Sequence, residues 1–405
     1  MKKRLSQYHS RRTFHRQVAA MSAIAAASRV SNMLSAAQSE RVPTAEVDEV
    51  RTISETPELY CGWPTLTRRR NGQLVVVWSG GRESHVCPFG RVEMIRSNDD
   101  GATWTWPRTI LDGAIDDRDA GVVETHKGTL LVTTFTSLAY QPELDKQIAL
   151  AADADKKQAR WPAEKLRRWR AVHDRISAPE RNAELGQWMI RSTDGGVTWS
   201  SRYTSIVNSP HGPIQLSDGR LLYAGKELWT GDRAIGVCES VDDGASWRWL
   251  AKIPARQGDD PAAYHELHAV EAASGRLIAH IRNHNKPNDR ETLQSESDDG
   301  GRTWTTPHPI GVWGLPSFLT RLRDDRLLMT YGHRRNPLGI QARISSDSGD
   351  SWSGPMIIWG DGVSGDLGYP STVEVADGSL VSVWYERTAE SDKAVLRQAR
   401  WRIIG

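Results

Sequence analysis

The sequence predicts an all-β protein, a six-bladed β-propeller with a helical insertion in its second blade. Three observations lead there. The pattern S-x-D-x-G-x-[TS]-W occurs five times, at Ser97-Asp99-Gly101-Thr103-Trp104, Ser192-Asp194-Gly196-Thr198-Trp199, Ser240-Asp242-Gly244-Ser246-Trp247, Ser297-Asp299-Gly301-Thr303-Trp304 and Ser345-Asp347-Gly349-Ser351-Trp352. Between these copies a second unit recurs: a polar or Gly-Pro start, a strand, a turn that usually carries Gly, and a strongly apolar strand. Finally, 405 residues exceed the usual size of one compact core, a difficulty removed when a radial array spreads the core over blades. Self-similarity at a period of roughly 20 to 50 residues is the mark of such arrays.

Each eight-residue pattern reads as a hairpin turn that locks itself. Asp accepts hydrogen bonds from turn amides, Gly supplies a positive φ, Ser or Thr caps locally, and Trp folds back onto an apolar layer. The strand pairs, in order, are 63–66 with 74–78, 118–123 with 130–132, 211–216 with 221–223, 266–270 with 277–279, 316–319 with 327–329, and 369–375 with 380–383. Five of these pairs lead to a third strand, a box and a fourth strand. The sixth ends at residues 399–404 with no box, so its outer strand has to come from the N-terminal side, within 47–54. That closure removes an exposed sheet edge.

The first two boxes stand about twice as far apart as the later ones, and the excess falls at about 138–186. Residues 148–152 and 163–170 are rich in helix formers. The insertion falls between the second and third strands of blade two, on the rim opposite the boxes, where it would form a lid over the central funnel or pack on the outside. Residues 1–40 read as an export signal of twin-arginine type with a linker: Arg11-Arg12 precedes a weakly apolar run, and Ser35-Ala36-Ala37 offers small residues for cleavage. A cytosolic basic tail is the other reading. The remainder, 47–405, is the propeller, and no stretch of it reaches the ~18 apolar residues of a membrane span. The expected location is therefore periplasmic or extracellular.

A formal charge of +2 with both signs interspersed provides no basic stripe for nucleic acid. Cys61, Cys87 and Cys238 fit neither a disulfide framework nor a metal spacing. No metal or cofactor site is expected, and the oligomeric state is left open.

In a ring of this kind the first strands of all blades start near the axis, on the rim of the second-to-third-strand loops. Residues far apart in sequence thereby converge: Trp63, Arg118, Asp119, His211, Glu266, His268, Ser317 and Tyr369, with Arg82, Glu83, His85, Arg282, His284, His333, Arg334, Arg335 and Glu386 from the loops. Arginine forks among carboxylates and histidines suit an anionic sugar.

The boxes are Asp boxes, and the chain resembles the sialidase (neuraminidase) superfamily. The resemblance implies that a Glu opening blade four activates a Tyr opening blade six, that three arginines bind the sugar carboxylate, and that an Asp is the acid. His265-Glu266-Leu267-His268 with Arg282 resembles the Glu strand and second arginine, Tyr331-Gly332-His333-Arg334-Arg335 the third arginine, and Gly368-Tyr369-Pro370-Ser371 the nucleophile strand. Tyr369 is thus the expected nucleophile and Glu266 its base. A phenol suits an acidic sugar, because a carboxylate nucleophile would be repelled by the substrate's own carboxylate.

Two segments depart from the family. Cys61-Gly62-Trp63-Pro64 carries no arginine where the first of the three is expected, leaving Glu386 without its usual partner unless it pairs with Arg118. The loop that should bear the acid, Arg82-Glu83-Ser84-His85, holds no aspartate, and Asp119 or His85 is the substitute. Substrate-binding candidates are Arg82, Arg118, His211, Arg282, Arg334 and Glu386. The function implied is a retaining exo-glycosidase that releases a terminal acidic sugar from glycans. The alternatives are a lyase or divergent hydrolase of uronate-containing glycans, with His211 or Tyr369 as base, and a non-catalytic carbohydrate-binding propeller.

Overall fold

The computed structural model describes residues 42–54, 58–153, 160–286 and 288–405. The expected export signal at 1–40 lies outside the described residues. Residues Thr44–Ile404 form one compact unit of six four-stranded antiparallel sheets. Blade one comprises β2 (Tyr60–Arg68), β3 (Leu74–Arg82), β4 (Arg91–Ser97) and β5 (Arg108–Leu111). Blade two comprises β6 (Asp116–Glu124), β7 (Leu130–Ser137), β8 (Gln187–Ser192) and β9 (Tyr203–Thr204). Blade three runs through β10 (Ile214–Gln215), β11 (Leu221–Lys226), β12 (Ile235–Ser240) and β13 (Arg248–Lys252). Blade four holds β14 (Tyr264–Glu271), β15 (Leu277–Asn283), β16 (Thr292–Ser297) and β17 (His308–Pro309), and blade five β18 (Ser317–Arg321), β19 (Leu327–His333), β20 (Gly339–Ser345) and β21 (Met356–Trp359). Blade six is built from β22 (Leu367–Glu374), β23 (Leu380–Arg387), β24 (Ala394–Ile404) and the N-terminal β1 (Thr44–Thr52).

β1 pairs antiparallel with β24 from Thr44 opposite Ile404 to Thr52 opposite Arg397. The first strand of the propeller thus supplies the outer strand of the last blade.

The core lies between blades, which explains why the second strands read as unbroken apolar runs: both faces of each are covered. Along β3, Leu74, Val76 and Trp78 pack toward Val381, Val383 and Tyr385 of blade six. The alternate residues Val75 and Val77 pack toward Val122 and Val132 of blade two, as the two-residue period of a strand requires.

The Asp boxes sit in the turns between third and fourth strands. In the first, Ser97 Oγ accepts from Gly101 N at 2.8 Å, Asp99 Oδ1 accepts from Thr103 N at 2.8 Å, and Asp99 Oδ2 from Thr103 Oγ1 at 2.6 Å. The tryptophans of the first and fifth boxes also fasten their blades to the preceding one. Trp104 Nε1 donates to Gln398 Oε1 of blade six, and Trp352 Nε1 to Gln294 Oε1 of blade four, both at 2.8 Å.

The hydroxyl and amide donors of Thr303 hold Asp299 at a pKa of about 2, and those of Ser97 and Thr103 do the same for Asp99. An unfolded aspartate titrates near ~3.9, so the contribution of each box is present above that pH and is lost as pH falls toward 2. Asp299→Asn is therefore expected to lower Tm at about pH 6, with a gap to the wild type that closes as the melts are taken down to about pH 2 to 3. A gap independent of pH would contradict this reading.

The insertion lies between β7 and β8 and contains α1 (Gln141–Ala152), α2 (Ala163–His173) and α3 (Ala178–Ala183). It buries Tyr140, Leu144 and Trp169 against Val86, Cys87 and Phe89 of blade one. Glu83 accepts from Arg168 Nη2 at 2.6 Å and from Trp169 Nε1 at 2.8 Å. Among the described residues no helix is long and apolar enough to cross a membrane.

Candidate functional site

The site is made by a repeated irregularity of the inner strands. In β2 the register slips between Gly62 and Thr65, in β6 between Arg118 and Gly121, and in β22 between Gly368 and Ser371. Each slip inserts a two-residue bulge, Trp63-Pro64, Asp119-Ala120 or Tyr369-Pro370, whose first residue has a positive φ: 55° at Trp63, 48° at Asp119 and 54° at Tyr369. A bulge frees its residues from the ladder and re-aims their side chains, and a left-handed backbone at a non-glycine residue persists only where its surroundings enforce it. Proline fits the second position of such a bulge because no ladder hydrogen bond is asked of it. In β14 a smaller slip between His265 and Leu267 frees Glu266.

These strand starts bring together Tyr369, Glu266, Arg282 and Arg334. Tyr369 Oη donates to Glu266 Oε1 at 2.6 Å. Arg282 Nη1 donates to Glu266 Oε2 at 2.6 Å and to Tyr369 Oη at 3.2 Å, and its Nε reaches His284 Nε2 at 2.9 Å. The Arg334 guanidinium stands 5.9 Å from the Tyr369 ring centre, and its Nε donates to Leu367 O at 2.9 Å.

The two carboxyl groups of this cluster are pushed in opposite directions. Burial raises Asp119 to about 7, with the neighbouring negative charge of Glu266 adding to the rise and Arg118 opposing it; its Oδ1 is buried with no hydrogen-bond partner among the described residues. Burial also works to raise Glu266, but Arg282, the Tyr369 hydroxyl and Arg334 outweigh it and the net shift is downward. Two carboxyl groups driven apart in this way are able to serve as an acid and a base. The Tyr369 phenol is raised well above its usual value by burial and by Glu266, so it can lose its proton only in step with a reaction.

Beside the cluster opens a pocket of about 540 Å³, lined by Arg282, Arg334, Arg335, Arg290, His284, Asp289 and Trp313 among others. It lies over blades four and five. No described residue of the blade-two insertion is among those that line it; the helices bury an apolar stripe on the His85 loop.

The other sequence candidates are distributed as follows. His85, its side chain 46% exposed, meets Asp366 Oδ1 at 3.0 Å and Tyr60 Oη at 2.9 Å through Nδ1, and its ring stands edge-on to Trp63 at 4.9 Å. Arg118 lies with its guanidinium 4.4 Å from the Trp63 ring centre. His211 is buried next to the Tyr369, His268 and Phe318 rings, and burial lowers its pKa to about 3.

Arg82 and Glu386 do not line the pocket. Arg82 is wholly buried and grips Asp116 with two hydrogen bonds of 2.6 and 2.9 Å. Glu386 is neither unpartnered nor paired with Arg118: its Oε1 lies 3.1 Å from Arg397 Nε. Strand alternation is the cause, because Tyr385 is the residue of this pair that turns toward the site, 5.8 Å from the Tyr369 ring.

Sequence reasoning missed Asp366, whose Oδ1 collects Tyr60, Tyr385 and His85, together with Arg290 and Trp313 of the pocket wall. Asp366 stands three residues before Tyr369 in a Gly/Ser-rich loop, and that proximity was the only signal for it.

A family model described as a BNR repeat-like domain matches residues 162–382. A sialidase of Micromonospora viridifaciens is 25% identical over 221 residues, which cover 45% of this chain and 33% of that protein, so the chain matches about a third of the relative's length. Among solved structures, a protein of unknown function from Dyadobacter fermentans superposes with a TM-score of 0.72 at 21% identity, over 90% of this chain and 100% of the other. The intramolecular trans-sialidase of Ruminococcus gnavus, solved with oseltamivir carboxylate, superposes with a TM-score of 0.57 at 14% identity, over 88% and 96%. At these identities the structural likeness shows the fold. The family model covers more than half of the chain and runs from the insertion into blade six, across four of the five Asp boxes, and on that ground the chain belongs to the BNR repeat-like domain family of the sialidase superfamily.

Proposed function

We propose that this protein is a retaining exo-glycosidase that removes a terminal acidic sugar from a glycan. The observation that carries the reading is the hydrogen-bonded set of Tyr369, Glu266 and Arg282, beside Asp119, whose carboxyl group is raised to about 7 by burial and by the negative charge of Glu266. Arg282 and Arg334 receive the sugar carboxylate. Arg118, laid over Trp63, supplies a cation beside the strand position where the family resemblance expects an arginine and this chain has none.

In the first step the Tyr369 Oη–H proton passes to Glu266 as Oη bonds to the anomeric carbon, and Asp119 protonates the departing glycosidic oxygen. In the second, Asp119, now ionised, takes a proton from water as the water oxygen replaces Oη, and Glu266 returns the proton to tyrosine. No net charge accumulates on the phenol in either step. The elimination alternative is weaker for His211, because a buried imidazole with a pKa of about 3 is a poor base.

Product identification by mass spectrometry, after incubation with a panel of sialosides and uronate-bearing glycans, with the first-formed anomer read by proton NMR, tests the reading: a free acidic sugar with retained anomeric configuration is expected. Unsaturated product would point to elimination, and binding without turnover to a lectin-like role.

The assignment of Asp119 makes a pH prediction. The acid must carry its proton, so activity is expected below about pH 7 and lost as pH rises through it, with the paired carboxyl groups titrating as a unit. Asp119→Asn should lose turnover together with this alkaline limb. His85→Ala should keep the limb; if it alone removes the limb, the acid is His85.

A further inference from the structure

We infer that the pocket beside the catalytic cluster is built for two negative charges, so that the substrate is a polyanionic glycan whose second anionic group, a carboxylate or a sulfate ester, lies next to the carboxylate of the scissile sugar. The inference rests on the acidic-sugar reading and adds a subsite to it.

The charges lining the pocket carry the argument. Four arginines face it, Arg282, Arg334, Arg290 and Arg335, against two carboxylates. Glu266 is spent on Arg282 at 2.6 Å, and Asp289 makes only long contacts, 3.9 Å to the Nε of Arg290 and 4.0 Å to Nδ1 of His284. Arg334 and Arg335 face no carboxylate within ion-pairing distance among the described residues, and the terminal nitrogens of Arg290 are unengaged there as well. Four guanidinium groups against two carboxylates leave two positive charges uncompensated.

The pair divides by position. Arg334 stands by the Tyr369 ring and belongs to the reacting sugar. Arg335 turns the other way and lies 4.6 Å over the ring of Trp313, which is 37% exposed. Guanidinium on indole is a rigid, partly dehydrated cation presented to the pocket, and an exposed tryptophan edge beside it suits a sugar ring. A single carboxylate occupies one fork; a ligand with one charge held by Arg334 would leave Arg335 and Arg290 unpaired. At about 540 Å³ the pocket falls within the roughly 300 to 1,000 Å³ of sites that enclose a sizeable ligand.

Calorimetric titration of the full-length wild type with two sulfur-linked, cleavage-resistant ligand pairs tests this. One pair is a sialyl-lactose and its α2,8-disialyl counterpart; the other is a uronyl disaccharide without and with a sulfate ester. The doubly charged member of at least one pair is expected to bind ~10-fold tighter at low salt, with an advantage that shrinks as salt screens it. Arg290→Gln/Arg335→Gln, at two exposed positions, should reduce the advantage to within about twofold while leaving the singly charged affinity unchanged. Equal affinities within both pairs, or an advantage that survives the double variant, would overturn the second subsite while the acidic-sugar reading stands. If no singly charged ligand binds, the acidic-sugar reading fails and the subsite with it.

Discussion

Replacing Tyr369 with Phe is expected to lower glycoside turnover ~10⁴-fold or more, as for other enzymes stripped of their covalent nucleophile, and to leave folding and ligand affinity nearly intact. Phenylalanine keeps the ring packing against Trp63, His211 and Tyr385, at centroid distances of 6.4, 6.3 and 5.8 Å. It also keeps the side-chain bulk at a position held at φ 54°. What it removes is the hydroxyl that donates to Glu266 at 2.6 Å. Glu266 is not orphaned by the change, since Arg282 still donates to its other oxygen, so the stability cost stays small. The measurement is kcat beside the affinity for an uncleaved acidic ligand, with a mass-spectrometric search for a glycosyl adduct on Tyr369 in wild-type enzyme quenched during turnover. A variant retaining more than about a tenth of wild-type kcat would remove Tyr369 from the nucleophile's role.

The ring of blades and the site were legible in the sequence to different depths, and the difference is one of range. An Asp box is complete within eight residues, so its hydrogen bonds follow from the local pattern, and the number of boxes and strand pairs set the number of blades. The missing sixth box and the surplus N-terminal strand were two halves of one fact, resolved in the β1–β24 pairing. Trp63-Pro64 and Tyr369-Pro370 were legible only as strand starts, although proline inside an apolar strand marks a place where the ladder is interrupted.

Arg82 and Glu386 show where this ends. Both stand at the end of a second strand, where the direction of a side chain depends on register and a single residue reverses the face. The charge of Arg82 drew it on paper toward a substrate, whereas the register draws it onto Asp116. Asp366, Arg290 and Trp313 lie in loops that no periodic pattern governs, and they join the site only through contacts between blades.

Removing the guanidinium of Arg82 is expected to cost stability rather than binding. Arg82 and Asp116 are both fully buried, with side-chain exposure of 0% each, and the guanidinium also donates to Ser79 Oγ at 2.9 Å and to His85 O at 3.1 Å. The contact is so close that a Cβ placed on Gly90 would lie 2.0 Å from Asp116 Oδ1 and 2.2 Å from Arg82 Nη1, which is why glycine passes there. Taking one partner from a buried ion pair leaves the other charge uncompensated, at ~3 to 5 kcal/mol. Arg82→Met should therefore lower the unfolding free energy, read from urea titration, by that amount, tempered by Arg118, whose Nη1 stands 3.9 Å from the same carboxylate. Arg82→Met/Asp116→Leu should recover part of the loss, because the stranded carboxylate is gone and the apolar pair fills the space. The His85 backbone hangs on the same guanidinium, so some loss of turnover will accompany the single variant. If the folding free energy instead changes by less than about 1 kcal/mol while KM rises sharply, Arg82 is a ligand of the substrate after all.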